Sequence, residues 1–148
     1  MAMGLLRAQT AQTEPDQDWR VESAGTWALD GVSAARRTQA VMKERGIDVS
    51  THRSRQITRE MLEVFDVVLT MESSHKEALQ AEFPDLRHKV LMFSELVGQR
   101  FDIPDPINGS HSDFEDTARE LEGLLKSGWN KLHELACLEN PPSPTTSH

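Results

Sequence analysis

Val64-Phe-Asp-Val-Val-Leu-Thr-Met71 is the stretch that decides the fold. It is close to a continuous apolar run, which marks a strand buried on both faces rather than one half exposed to water. Lys89-Val-Leu-Met-Phe93 is a second run of the same kind. Between them Ser74-x-x-Glu77 reads as a capping box opening a helix that Pro84 closes. Strand, helix and strand in that order predict a parallel sheet in an α/β fold.

Working outward, the same alternation continues. Upstream, Met1–Gln12 reads as a helix with Ala2, Leu5 and Leu6 on one face and no residue in front to cap it. Thr13–Asp18 is a polar loop, and Trp19–Thr26 alternates loosely enough to predict a short strand. A helix follows over Ala34–Arg45, with Ala35, Thr38, Val41 and Met42 as its apolar stripe and Gly46 as its stop. Ile47–Ile57 is polar and carries His52, Arg53 and Arg55, and Thr58 is placed to cap a short helix through Leu62.

Downstream, Ser112-x-x-Glu115 reads as a second capping box. It opens one long final helix carrying Phe114, Ala118, Leu121, Leu125, Trp129, Leu132 and Ala136 at steps of three and four, with Gly123 and Gly128 as weak points. The organisation expected is one α/β domain over residues 1–139 and a disordered tail over residues 140–148, which holds three prolines and several hydroxyl residues.

Composition narrows the function. A formal charge of −8, with no basic run longer than Arg36-Arg37, argues against nucleic acid or an anionic membrane as the main partner. No stretch has the apolar length of a membrane span, and the beginning of the chain lacks a signal-peptide pattern, so a cytoplasmic location is expected. The single cysteine, Cys137, rules out an internal disulfide and a multi-cysteine zinc site. The six histidines include no His-x-x-x-His pair, and no metal and no cofactor are expected.

The loop Phe101-Asp-Ile-Pro-Asp-Pro-Ile-Asn-Gly-Ser110 is the chemically suggestive one. Pro104 and Pro106 hold Ile103 and Asp105 extended, and Asn108-Gly109 supplies a turn. A carboxyl group on a stiff loop suits a general acid, although an ordinary Asp-Pro turn is the plainer reading of this loop alone.

Taken together, Val21-Glu-Ser-Ala-Gly-Thr26, Arg45-Gly-Ile-Asp-Val-Ser-Thr-His-Arg-Ser-Arg-Gln56, Asp66-Val-Val-Leu-Thr-Met71 and Asp105-Pro-Ile-Asn-Gly109 resemble the low-molecular-weight protein-tyrosine phosphatases. The order and intervals of these motifs are similar to that family from Met1 to about Leu135. The resemblance implies a three-layer sandwich with a flavodoxin-like parallel sheet in the order 2-1-3-4. It also implies cofactor-independent hydrolysis of phosphomonoesters: a cysteine thiolate attacks phosphorus, loop amides and an arginine hold the phosphoryl oxygens, and an aspartic acid protonates the leaving oxygen. On this resemblance Asp105 matches the general acid, Ser23 a hydroxyl bracing the phosphate loop, His52 a histidine behind that loop, and Arg55 a structural arginine. From the residues alone, His52 reads equally well as a solvated loop histidine, Ser23 as a turn serine and Arg55 as a surface arginine.

One departure is severe. The family's Cys-x5-Arg-Ser-Pro loop, which joins the first and central strand to the helix resembling Met1–Gln12, is not in these 148 residues. Cys137 is no substitute, because no arginine follows it at the required spacing and a small buried hydrophobe is its expected role. The sequence therefore reads as a shortened form of a longer phosphatase, inactive by itself, with the open strand edges favouring self-association. A non-catalytic binding or regulatory relative is the second reading. A thiol-dependent arsenate reductase is the third, disfavoured because it needs further cysteines. The expected partner is a phosphorylated protein or a small phosphomonoester. Ile107-Asn108, standing where tyrosine-specific relatives carry aromatic rings, leaves phosphotyrosine, phosphoarginine and other monoesters open.

Overall fold

The computed structural model describes residues 1–25 and 30–139, the side chains of residues 137–139 excepted. Thr26 and the tail expected over residues 140–148 lie outside the described residues. The chain divides into two compact units, Met1–Ile57 with Ile103–Leu125, and Thr58–Asp102 with Lys126–His148.

The second unit holds the parallel sheet. Strand β1 (Val68–Thr70) pairs in parallel with β2 (Val90–Met92), setting Val68 opposite Val90, Leu69 opposite Leu91 and Thr70 opposite Met92. Val90 and Met92 are buried, and the buried Thr70 hydroxyl donates to the Leu91 carbonyl at 3.2 Å. The two apolar runs thus form paired strands, but each strand is shorter than its run. Val64 belongs instead to helix α3 (Arg59–Val64), which Thr58 caps by accepting from the Met61 N–H. The helix extends past Leu62 because Lys89 Nζ donates to the carbonyls of Leu62, Glu63 and Phe65 at 3.1–3.2 Å. A cation satisfying the last carbonyls also complements the negative end of the helix. Lys89, expected in a strand, is thereby drawn out of β2 and ends a 3-10 turn over Pro84–Lys89.

Helix α4 (Ser73–Glu82) connects the two strands, but the Ser74/Glu77 capping box is not what opens it. Glu72 occupies the N-cap without a side-chain bond, and Asp102 Oδ1 accepts from the Ser73 N–H at 2.8 Å. A carboxylate from a distant part of the unit does the work expected of the local box. The predicted single C-terminal helix is two helices, α5 (His111–Ser127) and α6 (Trp129–Glu139). The break falls at Gly128, whose carbonyl accepts from the Leu132 N–H.

In the first unit, α1 (Ala2–Thr13) buries Gly4, Leu5 and Thr10, and α2 (Arg36–Glu44) buries Val41 and Met42. α5 contributes Phe114, Ala118, Leu121 and Leu125, the stripe read from the sequence, together with Leu124. α2 is shorter than expected at both ends: Ala35 is its exposed N-cap, and Gly46 follows it with a φ of 73°, a left-handed conformation that glycine adopts without strain. Gly4 lets α1 approach the chain beyond α2, since a Cβ there would stand 3.1 Å from both Ile47 Cγ2 and Val49 Cγ1.

Among the described residues of the predicted Trp19–Thr26 strand, no regular strand is formed. Residues 18–24 run without regular structure, and Gly25 makes a single parallel bridge with Gln56. The carbonyls a neighbouring strand would use are already occupied. Arg7 donates Nε and Nη2 to Val21 O at 2.9 and 2.6 Å, and Arg55 Nε donates to Ser23 O at 3.2 Å. Trp19, expected to open the strand, turns its indole N–H to Glu14 at 3.0 Å.

Candidate active site

The Asp105 loop enters the first unit at Ile103, which is buried and anchors it. Pro104 and Pro106 restrict the backbone on either side of Asp105, as the sequence dictates. Asp105 Oδ1 accepts from the Ile107 N–H at 3.1 Å, an Asx turn that fixes the carboxylate relative to its own loop. The loop then closes: Gly109 N–H donates to Pro106 O at 2.6 Å. Next, Ser110 and Asp113 cap each other reciprocally, with Ser110 N–H donating to Asp113 Oδ2 at 2.8 Å and Asp113 N–H to Ser110 Oγ at 3.2 Å. The second capping box therefore lies two residues earlier than Ser112/Glu115, with an aspartate in the place of the glutamate. Glu115 is unavailable because Arg45 holds it at 2.6 Å.

Asp105 is exposed on this loop and acts electrostatically on the start of α1. Burial pushes the Met1 α-amino group below its ordinary value, and the Asp105 carboxylate works against that shift. His52 responds to the same charges. Its pKa is lowered by burial first, then by the Met1 ammonium group and by Arg7, Arg55 and Arg53. Burial and nearby positive charge both favour the neutral form of the imidazole.

Ser23, His52 and Arg55 share the wall of a cleft of about 540 Å³, which also takes in Met3, Gly4 and Arg7 of α1. Asp105 is not among the lining residues. The structure thus brings three of the four sequence-predicted residues to one cleft and relates the fourth to it through the start of α1. Arg55 is spent on structure within the unit: its Nη2 pairs with Glu22 at 2.6 Å while its Nε takes the Ser23 carbonyl. Sequence reasoning missed Arg7 and Glu22: only a fold partner, the Val21 carbonyl for Arg7 and the Arg55 guanidinium for Glu22, gives each a role.

The sequence profile described as low molecular weight phosphotyrosine protein phosphatase matches residues 1–136. The chain belongs to this family. It is 35% identical over 113 residues to a protein-arginine-phosphatase of Geobacillus stearothermophilus, covering 76% of each chain. It is 37% identical over 103 residues to the low molecular weight protein-tyrosine-phosphatase Wzb of Escherichia coli K12, covering 70% of this chain and 69% of that protein. Among solved structures, the low molecular weight protein tyrosine phosphatase of T. tengcongensis superposes with a TM-score of 0.82 at 34% identity, covering 88% of each chain.

The α/β fold with a parallel sheet, expected from the two apolar runs and from the resemblance, is accordingly the fold of a low molecular weight phosphatase. A phosphoric monoester hydrolase is the enzyme class the family supports. The only cysteine, Cys137, has no arginine at the Cys-x5-Arg spacing, and its side chain lies outside the described ones. Among the described residues no helix is long and apolar enough to cross a membrane.

Proposed function

We propose that this chain supplies the acid and one wall of a phosphomonoester-hydrolase site, with Asp105 as the group that protonates the leaving oxygen. The observation that carries this reading is the rigid placement of Asp105, held between Pro104 and Pro106 on a loop anchored by the buried Ile103 and fixed by its bond from the Ile107 N–H. A helix N-terminus favours an anion, and the family binds its phosphoryl group at the one that α1 resembles. On this reading Asp105 is the proton donor that would serve the bridging oxygen of a monoester bound there. Burial holds the His52 pKa below its ordinary value and Arg55 is paired with Glu22, so Asp105 is the better candidate for the acid role.

The 148 residues hold no cysteine with the spacing needed for thiolate attack. Hydrolysis of an aryl phosphate by this chain alone is therefore expected to stay at background, and Cys137→Ser to change nothing. With a strand and Cys-x5-Arg-Ser-Pro loop fused ahead of Met1, activity is expected to appear. In that fusion Asp105→Asn should lower kcat by roughly 10²–10⁴ for poor leaving groups and by less for good ones. Equal losses across leaving groups of different pKa would make Asp105 a turn residue only.

The substrate class that fits is a phosphorylated protein. Relatives named for phosphoarginine and for phosphotyrosine resemble the chain about equally, at 35% and 37% identity. Ile107, 62% exposed two residues after Asp105, offers an aliphatic contact and no ring to stack on a phenol. A second reading, a binding relative that holds a phosphorylated partner without turning it over, draws on the same missing nucleophile. It predicts phosphopeptide binding with no hydrolysis even in the fused form.

A further inference from the structure

Where α2 ends and α5 begins, three potential ligands converge that the phosphatase reading does not use. Glu44 is the last residue of α2, His111 the first of α5, and Glu115 lies one turn further along α5 on the same face. Their ligand atoms all lie within 4.8 Å of one another, and His111 Nε2 stands 3.1 Å from Glu44 Oε1.

The second observation is on Glu115. Its Oε1 is paired with Arg45, but its Oε2 is buried from water and meets no hydrogen-bond donor among the described residues. A carboxylate oxygen shielded in this way is an acceptor in need of a cation or a proton. The facing Glu44 is another carboxylate and supplies neither in its ionised form. Protonating His111 would serve Glu44 at 3.1 Å but would leave the orphaned oxygen as it is. Charge points the same way. Glu115 and Glu122 share the single Arg45 guanidinium, and Glu44 brings a further carboxylate to the cluster.

We propose that Glu44, His111 and Glu115 form a binding site for a divalent transition-metal ion of the Zn²⁺ type. One imidazole and two carboxylates, with no sulfur, suit Zn²⁺, Co²⁺ or Mn²⁺ better than Cu⁺, and the imidazole disfavours Mg²⁺ and Ca²⁺. Ligands about 2.1 Å from a tetrahedral ion stand about 3.4 Å apart, so the cluster has to close by roughly an ångström. Glu44 and His111, about half exposed, have the freedom to do so. Water completes the coordination on the open side. The ion would tie the end of α2 to the first turn of α5, directly behind the Ser110–Asp113 cap that closes the Asp105 loop. Its role is therefore to stiffen that loop, and the phosphatase reading is not needed for it.

The test is a Co²⁺ titration of the tag-free, EDTA-treated chain, followed by visible absorption, with Zn²⁺ calorimetry alongside. One equivalent should bind and should raise the thermal midpoint. His111→Ala and Glu44→Gln should each weaken binding at least tenfold and abolish the thermal shift, while His75→Ala leaves both unchanged. Both tested ligands are exposed, so the variants should fold as the parent does, which the metal-free thermal midpoint checks. Failure of the parent chain to take up an equivalent, or uptake that survives both substitutions, would overturn the site.

Discussion

Gly109→Ala is the substitution that most directly probes how the Asp105 loop is held. A Cβ at residue 109 would stand 2.6 Å from Asp113 Oδ2, 2.8 Å from Asp113 Cβ and 3.0 Å from the Pro106 carbonyl oxygen. The first contact could be relieved by rotating a carboxylate, but the other two involve a Cβ and a main-chain oxygen, so backbone must move. Two losses follow. Displacing Asp113 removes the reciprocal cap with Ser110, worth about 1 kcal/mol. Shifting the Pro106–Gly109 turn adds an overpacking cost of roughly 1–3 kcal/mol. The sum, about 2–4 kcal/mol, corresponds to a midpoint lowered by roughly 5–15 °C for a chain of this size. Thermal unfolding by circular dichroism measures it, with Ser110→Ala as the comparator that loses the cap alone. Because both act through the same cap, Gly109→Ala/Ser110→Ala should cost less than the two singles added. A Gly109→Ala midpoint equal to the parent's, or strict additivity in the double variant, would refute this account of the loop.

Acidification gives an independent check, since His52 and the Met1 amino group both bind protons more weakly than their ordinary values of 6.5 and 8.0. The unfolded chain then takes up more protons, so stability should fall as pH drops from about 8 through the His52 range. His52→Gln should flatten the lower part of that slope in urea titrations, and an unchanged slope would remove His52 from the account. Lys89→Met keeps the aliphatic stem but takes the donor away from the carbonyls of Leu62 and Glu63 in α3 and of Phe65 just beyond it. It should cost roughly 1–2 kcal/mol, read as loss of amide protection confined to residues 59–65. Light scattering should show concentration-dependent self-association of this chain, because β1 has a strand partner on one side only among the described residues. A monodisperse monomer at high concentration would count against that.

Legibility followed whether an element's partners were local. The runs around Val68–Thr70 and Val90–Met92 announce themselves because they are continuously apolar, although only Thr70, Val90 and Met92 are buried and Val68, Leu69 and Leu91 stay half-exposed; the stripe from Phe114 to Leu125 does so because its period is helical. Thr58 was readable because its acceptor serves an amide three residues on. The failures share one cause. Ser74/Glu77 and Ser112/Glu115 are good local boxes, but Asp102 supplies the first helix's acceptor and Arg45 removes Glu115 from the second. The strand expected at Trp19–Thr26 was lost to Arg7 and Arg55, whose reach no window of sequence reveals. At the candidate site, motif resemblance named Asp105, Ser23, His52 and Arg55, and the last three line one cleft while Asp105 does not. The cation ring around His52 was not legible, because it is assembled from α1 and from the polar segment after α2.

The arginines on the Val21 and Ser23 carbonyls carry a consequence for recognition. A guanidinium donating to a carbonyl is a charge-assisted bond, stronger than the amide donor a pairing strand would offer in exchange. An incoming strand must therefore evict two cations before it gains its own ladder, and must give each of them somewhere to go. The segment from Val21 to Ser23 is thus guarded against strand addition by its own side chains, without a proline or a bulge to protect it.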